Sequence, residues 1–350
     1  MRRIAFASNF AILLLATVSI TSCGGGGGGS VLGPQNSPTQ VPTPCAHLCL
    51  AAEYQIPTAN SQPLSITAGP DGNVWFTEAS KIGRITAGGA ITEYPIPSGD
   101  VGSGSIISGP GGNLWFAEGD SKIGEITPAG SITEFPVPKQ PGSNMTVGAD
   151  NNLWFAASGS SPPLGYEIEK MTPAGVIAEY TTGGGGQPGL LATGSDGNVW
   201  IVLNGTSEIL RMSTSGVRTN FPFPSADFYT DMAPGPGGLW ITDFSEVCSG
   251  LLCAPSASGI VNFSPAGLPT VNFPLVAYAV PQDIAKGPDG NMWFTAAGSI
   301  GRITPSGVVT YFELTSHNPQ GVTPFAITAG PDGNMWFTDV NAGMIGKFVL

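Results

Sequence analysis

A tryptophan recurs inside a repeated stretch of this chain, and its spacing limits the folds open to it. The stretch GPDGNVWFTEASKIGRITAGGAITEYPIP, Gly69 to Pro97, returns in degraded form along the sequence. Its tryptophans are Trp75, Trp115, Trp154, Trp200, Trp240, Trp293 and Trp336, at intervals of 40, 39, 46, 40, 53 and 43 residues. These are all 7 tryptophans of the protein. A period of about 40–50 residues that holds several short β runs marks propeller blades, each burying its faces only against its neighbours. The expected fold is therefore all-β, a seven-bladed β-propeller with four-stranded blades.

The first repeat shows how one blade is written. Leu64 to Ala68 reads as the first strand, and Gly69-Pro70-Asp71-Gly72 as a turn whose Pro and Gly supply constrained φ values. Val74 to Thr77 is the second strand, apolar on both faces, as suits a sheet packed between two others. Lys81 to Thr86 and Ala90 to Ile96 follow as third and fourth strands, the last edged by Pro95 and Pro97. Proline is tolerated on an outermost strand because one side is free of ladder bonds. The recurring tryptophan reads as blade core rather than as a stacking platform for a ligand. The recurring turn aspartates (Asp71, Asp196, Asp289, Asp332) read as caps of their own backbone.

The last repeat stops at Leu350 without a fourth strand, and the missing piece lies at the other end. Glu53-Tyr54-Gln55-Ile56-Pro57 matches Glu93-Tyr94-Pro95-Ile96-Pro97 and Glu134-Phe135-Pro136-Val137-Pro138. The N-terminal strand is thus expected to complete the seventh blade and close the ring.

Residues 1–22 read as a lipoprotein signal peptide. Arg2 and Arg3 form a basic start, and Phe10 to Ile20 an apolar run too short to span a bilayer. The segment ends Ile20-Thr21-Ser22-Cys23, which looks like a bacterial lipobox with Cys23 as the lipidated first residue. Residues 23–50 are then a Gly/Pro-rich tether carrying Cys45 and Cys49. As a flexible coil its Gly24 to Pro44 part would span ~25 Å. Residues 51–350 form the propeller. The chain is expected to be exported and held by its lipid to the cell envelope, at the outer membrane in a Gram-negative cell.

Charge narrows the partners. Asp and Glu number 24 against 12 Lys and Arg, so no electrostatic footprint exists for a nucleic-acid backbone or an anionic membrane surface. Membrane contact would come through the lipid alone. Partners left open are a small molecule, a peptide or an envelope protein, with the chain itself a monomer.

An exported protein can keep disulfides, and four cysteines besides Cys23 allow three connectivities. In a four-stranded meander the loops after strands two and four share one face, and those after one and three the other. Cys248 and Cys253 fall after the second strand of blade 5, whereas Cys45 and Cys49 lead into the closing strand from the opposite face. The expected pairs are Cys45–Cys49 and Cys248–Cys253, two local staples.

The repeat GPDGNVWFTE…KIGRIT…GAITEYPIP resembles the streptogramin lyase (virginiamycin B lyase) family of seven-bladed propellers. The resemblance runs from Leu50 to Leu350 and is best in repeats 1, 2, 6 and 7. It implies elimination chemistry that opens a cyclic depsipeptide, a bound magnesium, acids at the WFTE position and histidines near the central axis. The WFTE acids here are Glu78, Glu118, Asp243 and Asp339, replaced by Ala157, Leu203 and Ala296 in blades 3, 4 and 6. Either these four carboxylates meet at the axis, where hard oxygen ligands would suit Mg²⁺ or Ca²⁺, or they are solvated strand ends.

The histidines depart from the family pattern. The chain has 2, His47 between Cys45 and Cys49, and His317 in the connection to blade 7 on the face of Asp339. The family's histidines precede a proline at the start of the inner strand, where Gln62-Pro63, Gln187-Pro188 and Thr323-Pro324 stand here. The catalytic pair therefore cannot be carried over; His317 and Asp339 remain the weak catalytic candidates, and His317 reads first as a surface loop residue, which needs no further explanation. No Gly-x-Ser-x-Gly, His-Glu-x-x-His or phosphate loop is present, and the Gly183–Gly189 run carries no basic residue. Three readings stay open: a surface-displayed binding propeller using the acidic loop face, a divergent metal-dependent lyase, and a structural envelope protein.

Overall fold

The computed structural model describes residues 49–350 except 100–103, 158–165, 184–185, 224–227, 250–251, 265, 267–268, 277–278 and 315–320. Residues 1–22, expected to form a signal peptide, and Cys23, Cys45, His47 and His317 all lie outside the described residues.

The ring has seven four-stranded antiparallel blades, and among the described residues the one helical turn is the 3-10 segment Pro110–Gly112. In blade 1 the strands are Ile66–Ala68, Val74–Thr77, Lys81–Ile85 and Ile91–Pro95, in sheet order from inside to outside. The closing strand is Cys49–Gln55, added outside Met344–Val349 with Tyr54 opposite Ile345 and Glu53 opposite Gly346. First strands pack side by side around the axis, and that of blade 1 meets that of blade 7.

Period-two alternation places successive residues of the second strand in opposite seams. Trp75 packs with Ile96, Ile106, Leu114 and Phe116 on the blade 2 side, while Phe76 packs with Ile56, Ile345 and Trp336 on the blade 7 side. All seven tryptophans are at most 1% exposed. Each indole also meets an outer-strand aromatic of its own blade, as in Trp75 with Tyr94 at 5.5 Å and Trp154 with Tyr180 at 5.3 Å between ring centroids.

The turn aspartate does more than the sequence reading allowed. Asp71 Oδ1 accepts the Asn73 N–H at 3.2 Å, the expected turn cap, and also the Trp75 indole N–H at 2.9 Å. Asp150, Asp196, Asp289 and Asp332 hold Trp154, Trp200, Trp293 and Trp336 in the same way. A buried indole N–H needs an acceptor, and the turn supplies one four residues upstream. In blades 2 and 5, where Gly111 and Gly237 replace the aspartate, the carbonyls of Pro110 and Pro236 accept instead.

Blade 5 departs from the others in its length. Its second and third strands, Gly238–Ser249 and Leu252–Phe263, run on as a ribbon beyond the sheet. That ribbon accounts for the 53-residue interval between Trp240 and Trp293.

Candidate functional site

An open cavity of about 560 Å³ lies on the ring axis, lined by first-strand residues of all seven blades. One seat per blade recurs around it, on the residue just before the buried aliphatic side chain or methionine that pairs opposite the residue after tryptophan. The seven seats are Ser65, Ser105, Asn144, Leu190, Asp231, Asp283 and Ala326, and all line the cavity.

The threonine of the second strand fixes the seat backbone. Thr77, Thr242, Thr295 and Thr338 accept the seat N–H of Ser65, Asp231, Asp283 and Ala326 at 3.0–3.1 Å. Seat side chains then reach across to the next blade. Ser65 Oγ accepts the Ile106 N–H at 3.2 Å, Asp231 Oδ2 that of Ile284 at 3.1 Å, and Asp283 Oδ2 that of Ile327 at 2.7 Å. The two carboxyls sit in adjacent blades and interact with each other. Burial first, and the charge and hydrogen bond of Asp231 next, raise Asp283 well above the ordinary carboxylate value.

The four WFTE acids are not part of this cavity, nor are they brought together. Each stands two residues after the blade's Phe or Ile and shares its face, so it enters the seam toward the preceding blade. Glu78 is 2% exposed beside Lys81 and the outer-strand Glu93; burial and then the Glu93 charge push it up to about 8. Glu118 takes a 2.6 Å hydrogen bond from Ser98 Oγ and is pushed up to about 7, chiefly by burial. Asp243 rises to about 6 through burial, and Asp339 rises for the same reason although it accepts the Ala342 N–H at 3.2 Å. Among the described residues no group of three or more His, Cys, Asp or Glu is placed to hold a metal ion. The magnesium implied by the resemblance therefore finds no donor set in the acids proposed for it, and no step is drawn through it.

Sequence reasoning missed two features. The Asp231–Asp283 pair was hidden because the carboxylates stand alone in two separate strands, and only superposing the seven seats sets them side by side. Glu169 had a visible signal: it replaces the glycine that Gly83 and Gly124 supply at the same ladder position, opposite the phenylalanine. It is fully buried, neither of its oxygens has a hydrogen-bond partner, and burial pushes it up to about 7.

Ring and cavity together define a seven-bladed propeller whose axial space opens among polar first-strand residues. The profile of the Virginiamycin B lyase family matches residues 49–262 and 251–350, and the chain belongs to that family. Among solved structures, a streptogramin B lyase is similar at 29% identity, covering 86% of this chain and 97% of its own, with a TM-score of 0.73. Virginiamycin B lyase from Staphylococcus aureus is similar at 28% identity over 85% of this chain and 98% of its own, TM-score 0.72. A catalytically inactive histidine-to-alanine form of that enzyme with quinupristin matches at 27% identity, the same coverage and TM-score 0.71.

Proposed function

We propose that this protein is an envelope-tethered binding propeller that holds a small ligand or peptide in its axial cavity. The observation that carries the reading is the cavity itself, about 560 Å³ and lined by side chains from every blade. That volume lies in the range of drug-sized ligand sites. The acidic loop face expected from the sequence is replaced here by the axial seats, since Glu78, Glu118, Asp243 and Asp339 are drawn into seams. Tethering rests on the Cys23 lipobox, and a Cys23→Ser chain should leave the membrane fraction and lose lipid labelling. The ligand-binding unit acts as a monomer, with membrane contact through the lipid alone and no nucleic-acid partner.

The test is a thermal-shift screen of the mature chain against a small-molecule library that includes quinupristin. A Gln187→Trp chain, narrowed at an exposed lining position, is the control. A ligand that stabilises the parent and not this variant supports the reading. A full screen without such a ligand removes it.

Family membership and the likeness to streptogramin B lyases favour divergent lyase activity as the second reading. His317 and Asp339 would be its residues. Elimination opens the ring without adding water, so incubation of quinupristin with the chain and Mg²⁺ is followed by chromatographic retention rather than mass. An unchanged retention profile ends that reading.

A further inference from the structure

The seven axial seats are equivalent by ladder position, yet their chemistry is lopsided. Five carry Ser65, Ser105, Asn144, Leu190 and Ala326, and the two carboxyls fall in neighbouring blades. In blades 1, 5 and 6 the seat side chain accepts the next blade's N–H. Ser65 does that with a hydroxyl at 3.2 Å, and blades 4 and 7 place Leu190 and Ala326 in the seat without any acceptor. A serine in blades 5 and 6 would serve the same bond without placing two acids against each other in a confined space. The carboxyl pair therefore exceeds what ring assembly requires.

The rest of the lining sharpens the point. Asp231 and Asp283 are the only acidic or basic side chains among the described lining residues, and no Lys, Arg or His offsets them. The amides Asn144, Gln187, Asn204 and Gln282 add neutral donors and acceptors. Such a cavity repels anions and rewards a cation that brings its own N–H donors.

Resting on the axial-cavity reading, we propose that the ligand is a protonated organic amine whose ammonium group docks between Asp231 and Asp283. The ammonium donates to both side chains, and since burial holds Asp283 above the ordinary carboxylate value, a proton it carries leaves to solvent as the ammonium docks. The amine keeps its own proton, so binding releases up to one proton per site and strengthens as pH rises below the amine's own titration.

The experiment is calorimetric titration of the mature chain at pH 6 and pH 8, in phosphate and in MOPS, neither of which is a primary amine. The ligands are amines paired with isosteric alcohols, phenethylamine against 2-phenylethanol first. The expected result is an amine at least about tenfold tighter than its alcohol, tighter still at pH 8. The apparent heat should differ between the two buffers by the released proton. Asp231→Asn with Asp283→Asn keeps the carbonyl acceptors for the neighbouring N–H groups and should bind amine and alcohol alike. Should those variants fail to fold, the buffer dependence of the unaltered chain decides. Equal binding of amine and alcohol, or displacement of the amine by Mg²⁺ or Ca²⁺ at micromolar concentration, overturns the amine assignment and leaves the cavity reading standing. Absence of any cavity ligand, with Gln187→Trp indistinguishable from the parent throughout, overturns both.

Discussion

Tyr54 lies flat against Trp336, with ring centroids 5.8 Å apart and planes 18° from parallel. The first described strand is thereby stacked on the last tryptophan of the chain. Lys347 Nζ stands 5.2 Å from the same indole and donates to the Ala87 carbonyl of blade 1 at 3.2 Å. On the far side of Tyr54 the blade 1 turn approaches so closely that a Cβ on Gly89, at φ +89°, would run into its ring. One aromatic side chain thus links the N-terminal strand, blade 7 and blade 1.

Loss of that link should be felt by the whole ring. Tyr54→Ala is expected to cost about 2–4 kcal/mol, while Tyr54→Phe stays within about 1 kcal/mol because the stack needs the ring and not the hydroxyl. Urea unfolding followed by tryptophan emission measures both. Deleting residues 51–58 should lower the midpoint of the entire transition, and a truncated chain that unfolds like the parent would refute closure by this strand.

Asp332 gives a prediction whose sign follows from opposing causes. Burial raises its carboxyl, but hydrogen bonds from Lys347, Trp336 and Asn334 outweigh that and leave it below the ordinary value. A depressed folded value means stability that is present above the unfolded value near 4 and is lost as pH falls through the folded one. Asp332→Asn should therefore cost about 1–2 kcal/mol at pH 7 and flatten the loss of stability between about pH 5 and 3. Glycine stands at the matching Gly111, where Trp115 uses the Pro110 carbonyl, so an acid-limb effect of the same size for Gly111→Asn would contradict the account.

Much of this was legible because each repeat states its own fold. The tryptophan interval counted blades, Pro95 marked an outer strand, and Glu53-Tyr54-Gln55 declared its kinship with Glu93-Tyr94-Pro95. The fate of Glu78 was also within reach of the sequence. Two residues after Phe76 on one strand, it had to share that face and enter the seam, away from the axis. The axial pair was not within reach, since Asp231 and Asp283 lie 52 residues apart and only ring geometry puts adjacent blades' seats in contact. Glu169 looked like ordinary strand charge until its partnerless burial against Phe155 was visible.

The ribbon of blade 5 makes a redox prediction. Its ladder sets Cys248 directly opposite Cys253, with Ser249 and Leu252 paired beyond them. Directly opposed residues of an antiparallel pair have the separation that a disulfide spans. Chain exported to an oxidising compartment should give a non-reduced peptide joining Cys248 to Cys253, and alkylation before reduction should leave both unmodified. A Cys248→Ser chain should keep the fold and lose no more than about 3 kcal/mol of stability, as a short closed loop implies. Recovery of both thiols alkylated would sink the pairing.

The seam acids should make the propeller weaken toward alkaline pH. Glu78 is raised to about 8 and Glu169 to about 7, both first by burial, so the folded ring prefers their protonated forms. For an acid raised on folding, its contribution is complete below the unfolded value near 4.5 and disappears as pH climbs through the folded value. The window is therefore about pH 4.5 to 8 for Glu78, and it closes about a unit earlier for Glu169. Lys81 beside Glu78 and Lys139 beside Glu169 oppose the shift without cancelling it, and Glu93 and Glu179 add to it. Glutamine at either position keeps the shape and cannot ionise. Glu78→Gln should match the parent at about pH 4 and exceed it by about 1 kcal/mol or more at pH 9. Melting curves between those limits decide the matter: the two proteins should diverge between about pH 4.5 and 8 and keep a constant gap above, and parallel curves throughout would show that these carboxyls shed their protons without cost to the seam.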